Sequence, residues 1–457
     1  MVASEKKSKG HALVLPYPSQ GHINPMLQFG KRIASHGRLA TAAITRFIAS
    51  TTTPNAGHVA IETISDGFDD AGFASAPTIT DYLTSLESVG SQTLDDLLSS
   101  LAGRGRPVSL LVYDAFLPWA VDVARRHGVA TAAFFTQSAA VEVIYCHAWE
   151  GRLKFPPGEV VEKLPGLPEM EAEDLPSFLA APQVLYGAYL EMVLKQYKNL
   201  EEADIMLINS FYELEAEEMN WLASVRRAIT IGPTIPSVYL DNRIPDDHRY
   251  AIDLFRPETS ACKSWIASLP PASAIFVSFG SMATLSAAQF AELAFGLAAT
   301  NRPFLWVVRS SEKAKLPPGF PDSTVKKNGG MLVSWAPQLE LLASGKFGCF
   351  VTHCGWNSTM EGLGLGVAMV GLPQWTDQCT DAKYIEEVWG VGVRARKGKD
   401  GMVGREEVER CVREVMEGEG SEGIRRRVGE WKEASRRAMD DGGSSDRNIT
   451  ELLDKFC

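Results

Sequence analysis

The sequence has few cysteines, and none of them forms a pattern typical of a redox or metal site. It holds 7 Cys among 457 residues, an odd number without a Cys-x-x-Cys pair. Asp-x-Asp is also absent, as is any His/Cys cluster with the spacing of metal ligands. A disulfide framework is therefore not indicated, and we expect reduced cysteines, a cytoplasmic location and no bound metal.

An excess of positive charge is missing as well. Lys and Arg number 45 against 56 Asp and Glu, which gives a net charge of −11. Proteins that bind nucleic acid usually carry a basic footprint, so we expect no nucleic-acid partner. The local basic stretches at 394–399 and 425–427 have acidic neighbours and are interpreted as solvated faces.

Long apolar runs are equally rare. The uncharged stretch 264–291 is interrupted by Pro270 and Pro271 and by several serines. It therefore predicts a turn, a strand and a helix, and we expect no membrane span.

Two common nucleotide-binding loops do not occur in a usable context. The Gly-x-Gly-x-x-Gly match at 418–423 is acidic and follows a helical pattern, whereas a dinucleotide site needs a strand before the motif and a helix after it. No glycine-rich loop ends in Gly-Lys-Ser/Thr. A dinucleotide-dependent oxidoreductase and a nucleoside triphosphatase are thus not favoured.

What the chain does contain is an alternation of short apolar runs with helix-period segments. That alternation is typical of βαβ units around a parallel sheet, and the length exceeds that of a single core. We predict an α/β protein with two Rossmann-like domains at 1–240 and 259–441, facing each other across a ligand cleft. A linker at 241–258 joins them, and the segment 442–457 is expected to pack back on the first domain.

Individual elements follow from the same pattern. A helix is predicted over 24–36 with Pro25 at its first position, where the missing N–H is harmless. Strands are predicted at 11–17, 41–45, 59–64, 109–113, 131–135, 204–209 and 228–231, then at 274–280, 303–308, 331–334, 347–352 and 367–373.

The carboxyl ends of the second-half strands carry unusual polar residues. Ligands bind at this edge of open parallel sheets. In HCGWNS (353–358) a strand gives way to a helix that begins near Asn357, so free N–H groups and the helix dipole form an anion site. Glu361, one turn deeper on the same helix, can accept the paired hydroxyls of a ribose. Trp335 offers a flat surface for a base, and Asp377 and Gln378 suit sugar hydroxyls.

Each of these residues has an ordinary structural alternative. A tryptophan after a strand usually packs in the core, and a helix-start Asn or Ser is usually a cap. Their occurrence together within residues 335–378 nevertheless indicates a nucleotide-sugar site.

The first half offers a candidate general base. His22 follows the first strand, and Asp114 ends the strand SLLVYD. If both strands lie parallel in one sheet, the two side chains emerge at the same edge. An aspartate that holds one imidazole nitrogen leaves the other free to take a proton. From spacing alone, a surface histidine and a helix-capping aspartate remain alternatives.

Residues 335–378 resemble the signature box of plant family 1 UDP-glycosyltransferases. The opening GHINPMLQFG, the SFGS turn and the late DDGGSSDRNI segment are similar to that family as well. The resemblance implies a GT-B fold and UDP-glucose as co-substrate without a further cofactor, since a glutamine at position 378 usually accompanies glucose preference. It also implies that the donor is bound by Ser281, Trp335, Ala336, Gln338, His353, Trp356, Asn357, Ser358, Glu361, Trp375, Asp377 and Gln378.

The family pattern assigns roles within that set. Trp335 is expected to stack on uracil and Glu361 to hold the ribose. The diphosphate is expected to be contacted by Ser281, His353, Asn357 and Ser358. The sugar is expected to be contacted by Trp375, Asp377 and Gln378. His22 and Asp114 match the positions of the family's catalytic pair.

The expected reaction is an inverting, metal-independent transfer of glucose to a hydroxyl of a hydrophobic small molecule in plant secondary metabolism or detoxification. Phenolics, terpenoids, steroids and sesquiterpenoid toxins are all compatible acceptors. The pocket is expected near 65–82, 138–149 and 178–197, whose aromatic residues include Tyr186, with Thr136, Ser138 and Glu142 as candidate contacts. Two alternatives stay open: an acyl glucosyltransferase that forms glucose esters, and an inactive nucleotide-sugar binder. We expect a monomer.

Overall fold

The N-terminal sheet has seven parallel strands, whose order brings the first and fourth strands together. The computed structural model describes residues 10–158, 161–180, 187–320, 325 and 328–457. In it the sheet order is β3-β2-β1-β4-β5-β6-β7. The strands are β1 (His11–Leu15), β2 (Leu39–Thr45), β3 (Ala60–Ile64), β4 (Leu110–Asp114), β5 (Ala130–Phe135), β6 (Ile205–Ile208) and β7 (Ala228–Thr230).

Helices cover both faces of this sheet. The third shows why they form: Thr78 accepts a hydrogen bond from the N–H of Asp81 at its start (3.1 Å), and Leu86, Leu94 and Leu98 recur at helical spacing on its buried face. The helices are α1 (Gln20–Ser35), α2 (Arg46–Thr51), α3 (Ile79–Gly103), α4 (Ala120–Arg126), α5 (Ala139–Trp149), α6 (Ser177–Ala180), α7 (Gly187–Lys195) and α8 (Ala216–Val225).

The C-terminal sheet has six parallel strands in the order β10-β9-β8-β11-β12-β13. Its central strands are almost entirely apolar because helices cover both faces. The strands are β8 (Ala274–Ser278), β9 (Phe304–Val307), β10 (Met331–Val333), β11 (Phe347–Thr352), β12 (Met369–Gly371) and β13 (Gly392–Arg394). The helices are α9 (Thr259–Ala267), α10 (Ala287–Ala299), α11 (Gln338–Ala343), α12 (Trp356–Leu365), α13 (Gln378–Lys383), α14 (Arg405–Met416) and α15 (Ser421–Met439). Two parallel-sheet domains confirm the predicted α/β class.

The basic stretch at 394–399 is only partly the solvated face that was predicted. Arg394 ends β13 and is buried, and its guanidinium lies 2.6 Å from a carboxylate oxygen of Asp174 in the other domain. Lys383 reaches the same carboxylate at 3.1 Å. The interpretation was wrong for Arg394 because its partner stands far away in the sequence.

The last helix, α16 (Ser444–Phe456), lies against the N-terminal sheet. Ile449, Leu452 and Leu453 are buried among its apolar residues. The amide of Asn448 donates to the Thr230 carbonyl of β7 at 2.9 Å. Within the described part of the chain, no helix is both long and apolar enough to span a bilayer.

Candidate active site

A cavity of about 570 Å³ lies between the two domains, where the carboxyl ends of both sheets meet. All of the predicted donor-binding residues line it, from Ser281 to Gln378. His22 and Thr136 line it from the N-terminal domain. The fold therefore brings together residues that come from six strand ends of two separate sheets.

His22 and Asp114 form a pair at the N-terminal wall of this cavity. The strands β1 and β4 are parallel neighbours, with Leu15 opposite Tyr113, so the residues that follow them emerge together. His22 Nδ1 lies 2.8 Å from Asp114 Oδ2 and 3.2 Å from the Thr136 hydroxyl. His22 Nε2 has no hydrogen-bond partner among the described residues, so it is available to a substrate.

The carboxylate of Asp114 is held in place by its own surroundings. Its side chain is only 1% exposed, and it accepts the backbone N–H groups of Tyr17 (3.2 Å) and Phe116 (3.0 Å). The rings of these two residues also pack against the imidazole, with centroid distances of 5.3 and 4.8 Å. Such support fixes both the orientation and the tautomer of His22.

Pro25 explains an unusual contact beside this pair. The first helix begins at Gln20, earlier than predicted, so Pro25 lies inside it and not at its first position. A proline has no N–H to give to the carbonyl four residues back, which is that of Gly21. That carbonyl accepts instead from the Asn357 amide of the C-terminal domain, at 2.8 Å. This hydrogen bond joins the two halves of the site next to His22.

The start of α12 faces the cavity without a capping side chain. Its first-turn N–H groups are therefore free to bind an anion. His353 lies beside them, against two glycines: a Cβ at Gly280 or Gly355 would stand only 2.9 or 2.5 Å from its Nε2. Burial lowers the pKa of His353 to about 4, so its ring is neutral at pH 7 and offers a hydrogen bond without a positive charge.

Glu361 is held by two donors. Gln338 Nε2 lies 2.6 Å from one carboxylate oxygen, and the Tyr250 hydroxyl lies 2.9 Å from the other. Burial raises the pKa of Glu361 to about 7, against the effect of these two hydrogen bonds. Tyr250 was not anticipated, because it lies in a segment without periodicity or motif.

The loop after β12 presents polar groups to the cavity. The side-chain oxygen of Gln378 accepts the N–H groups of Gln374 (2.9 Å) and Trp375 (3.1 Å), which leaves its NH₂ group available. Burial raises the pKa of Asp377 to about 6. Thr376 has a left-handed backbone (φ 55°), a strain that residues at ligand-binding loops often carry.

The remaining wall of the cavity, on the N-terminal side, is apolar. Among the described residues 10–240, no Lys or Arg lines it, and Arg249 of the linker is the one such cation among the described lining residues. Trp375 closes this wall against Phe178 and Tyr189, with ring centroids 5.7 and 5.6 Å away. Its other apolar and aromatic members are Phe73, Ile79, Tyr82, Phe116, Met192 and Val193.

Two predicted acceptor contacts, Ser138 and Glu142, do not line the cavity. Ser138 caps α5 and donates to Asp381 at 2.9 Å, and its side chain is buried. Glu142 lies inside the N-terminal core, where Tyr197 donates to it at 2.6 Å. The turn of α5 directs both side chains away from the cleft, although the preceding Thr136 faces it. Tyr186 lies outside the described residues.

Comparison with known proteins identifies the chain. The family model for UDP-glucoronosyl and UDP-glucosyl transferase matches residues 256–424. Crocetin glucosyltransferase 2 of Crocus sativus is 48% identical over 452 residues, which cover 98% of this chain and 97% of that protein. The chain belongs to the plant family 1 UDP-glycosyltransferases. A flavonol 7-O-beta-glucosyltransferase of Arabidopsis thaliana is 44% identical over 454 residues, with 99% of each chain covered.

A solved member of the UDP-glycosyltransferases has the same architecture. The crystal structure of Os79 from O. sativa in complex with UDP superposes with a TM-score of 0.92 at 44% identity, covering 98% of this chain and all of that one (100%). Os79 has also been solved with U2F and trichothecene. The predicted GT-B fold is confirmed, as is the prediction of a UDP-glucosyltransferase that uses UDP-glucose as co-substrate.

Proposed function

We propose that this glucosyltransferase moves glucose, with inversion, from UDP-glucose to a hydroxyl group of a hydrophobic small molecule, and that His22 is the general base. The observation that supports this most is the position of the His22–Asp114 pair. It lies where the apolar wall meets the donor half of one cavity, with the free imidazole nitrogen available to an acceptor.

The proposed reaction is a single displacement at the anomeric carbon of glucose. The acceptor oxygen forms a bond to the anomeric carbon from the face opposite the diphosphate, and the bond from that carbon to the UDP oxygen breaks. The acceptor proton passes to His22 Nε2, and Asp114 stabilises the resulting imidazolium. General base catalysis of this kind contributes roughly 10²- to 10⁴-fold in rate.

The departing diphosphate needs fixed donors. We propose that the open start of α12, the neutral His353 and Ser281 supply them, in place of a metal ion. The described residues contain no group of three or more His, Cys, Asp or Glu side chains arranged to hold a metal.

Transfer is therefore expected to proceed undiminished in excess EDTA. UDP release would be measured before and after chelation, and again after Mg²⁺ is added to the untreated enzyme. A strict dependence on Mg²⁺ would contradict the metal-free mechanism.

The apolar wall favours a neutral acceptor. A carboxylate placed there would lose its hydration without a Lys or Arg partner from residues 1–240, at a cost of several kcal/mol. Arg249 of the linker also lines the cavity, but it faces the carboxylate of Asp253, which lines the cavity as well. A hydroxyl group would instead lie beside His22 Nε2, which can accept its proton. One relative is named for a flavonol, and Os79 has been crystallised with a trichothecene, which agrees with a small hydroxylated acceptor of largely apolar surface. Another relative is named for crocetin, whose acceptor groups are carboxyls, and this relative favours the ester-forming alternative.

A panel of matched acceptors tests this assignment. Pairs that share one ring system and carry either a hydroxyl or a carboxyl group would be incubated with UDP-glucose, and the gain of one hexose followed by mass spectrometry. We expect hydroxyl acceptors to react at least about tenfold faster, since an unpaired carboxylate is costly to desolvate. Faster formation of glucose esters would favour the acyl glucosyltransferase, and no UDP release with any acceptor would favour the inactive binder.

The affinity for UDP-glucose is expected to rise between pH 6 and pH 8. We propose that Glu361 accepts the ribose hydroxyls, and the ionised carboxylate is the better acceptor. Because its pKa in the free protein is raised to about 7, it is mostly protonated at pH 6 and ionised at pH 8. Calorimetry across this range checks the trend. The variant Glu361→Gln, which cannot ionise at this position, is the control and should keep only the smaller rise that ionisation of Asp377 (pKa about 6) would give. An undiminished rise in that variant would contradict the assignment.

A further inference from the structure

The segment that joins the domains is fastened to the N-terminal domain by buried charges. Lys31 Nζ lies 2.7 Å from Asp247, with side-chain exposures of 7% and 1%. Both terminal nitrogens of Arg32 donate hydrogen bonds to the carboxylate of Asp241. Ala251 and Ile252 are buried against the same domain. Residues 241–258, which we continue to call the linker, are thus a fixed part of the cavity wall.

The linker touches two residues of the donor set. Phe255 lies over Trp335 with a ring centroid distance of 4.6 Å. Tyr250 donates its hydroxyl to Glu361 at 2.9 Å. Since the linker is anchored on one domain and Glu361 belongs to the other, this hydrogen bond crosses between domains.

We propose that Tyr250 is a positioning residue for Glu361, which orients the carboxylate toward the ribose of UDP-glucose. This inference rests on the proposed role of Glu361. Each carboxylate oxygen can accept two hydrogen bonds. Tyr250 occupies one site on Oε1 and Gln338 one site on Oε2, so one site on each oxygen remains for the paired ribose hydroxyls.

Loss of the Tyr250 hydroxyl would leave Glu361 with a single donor on one side. A buried carboxylate with an unsatisfied oxygen either rotates toward another partner or takes up a proton. In both cases the two acceptor sites no longer match a ribose. Donor binding should suffer, while the acceptor pocket and His22 on the opposite wall keep their geometry.

The variant Tyr250→Phe isolates this effect because it removes only the hydroxyl. The matched control is Tyr239→Phe, two residues before the linker, whose hydroxyl donates to the His248 carbonyl at 3.0 Å and not to Glu361. We expect Tyr250→Phe to raise the KM and the Kd of UDP-glucose by roughly tenfold, as for a lost hydrogen bond to a charged group. The kcat and the acceptor KM should stay within about twofold, and Tyr239→Phe should match the wild type.

A double-mutant cycle separates the inference from the function on which it rests. Glu361→Ala should weaken donor binding, and adding Tyr250→Phe to it should cause no further loss. If Glu361→Ala weakens binding but Tyr250→Phe alone does not, the positioning role is wrong while the ribose assignment stands. An equal loss from Tyr250→Phe with and without Glu361 also overturns it. Wild-type affinity in Glu361→Ala would instead remove the ribose assignment itself.

Discussion

The variant His22→Ala is expected to transfer glucose about 10²- to 10⁴-fold more slowly than the wild type while it still binds UDP-glucose. The loss has this size because general base catalysis contributes that much, and His22 Nε2 is the free nitrogen of an oriented imidazole in the cavity. Donor affinity should persist, since the predicted donor contacts lie on the other domain. Rates would be measured from UDP release, and affinity by calorimetry.

His127→Ala provides the matched control for His22→Ala. His127 forms a similar pair with Asp95 at 3.2 Å, but on the protein surface away from the cavity. We expect the variant His127→Ala to leave the rate of glucose transfer unchanged. Normal turnover in His22→Ala with a hydroxyl acceptor would remove His22 from the mechanism. Activity that survives only with carboxylate acceptors, which carry no proton to abstract, would point to ester formation.

Asp114→Asn is expected to lower kcat by roughly 10²- to 10³-fold, since the amide cannot stabilise an imidazolium as a carboxylate does. The substitution keeps the shape of the Asp114 side chain, which is 1% exposed. This side chain accepts hydrogen bonds from two backbone N–H groups. It replaces the acceptor of the His22 ring proton with a neutral group, so the tautomer is no longer enforced. Single-turnover rates would show the loss in the chemical step.

The surface partner of His127 again supplies the comparison for Asp114→Asn. Asp95→Asn should leave kcat at the wild-type value. A kcat within twofold of the wild type in Asp114→Asn, with thermal stability preserved, would mean that Asp114 only supports the loop and does not assist the base.

The donor half of the site was predictable because its pattern is local. A strand end, a glycine turn and a helix start follow one another within HCGWNS, and Glu361 lies one turn further on the same helix. Chain connectivity alone therefore places these groups together. The His22–Asp114 pair needed one more step, that β1 and β4 be parallel neighbours, which the sheet order shows.

Predictions made from proximity along the chain were less successful. Ser138 and Glu142 follow Thr136 closely, yet the rotation of α5 turns both into the interior. Pro25 looked like a helix start because prolines are common there, but the helix begins before it. Arg394 was predicted to be solvated because of its charged neighbours in the sequence, but its buried partner Asp174 is 220 residues away.

Periodicity and motifs are properties of neighbouring residues, and they were enough to predict the class of fold, the family and a candidate set of donor residues. How the two domains complete the site depends on packing between residues that are far apart in the chain. The Tyr250–Glu361 hydrogen bond joins residues 111 positions apart, and the Asn357–Gly21 bond joins residues 336 apart. Such contacts form because packing brings distant surfaces within 3 Å of each other, and no local pattern along the chain encodes that approach.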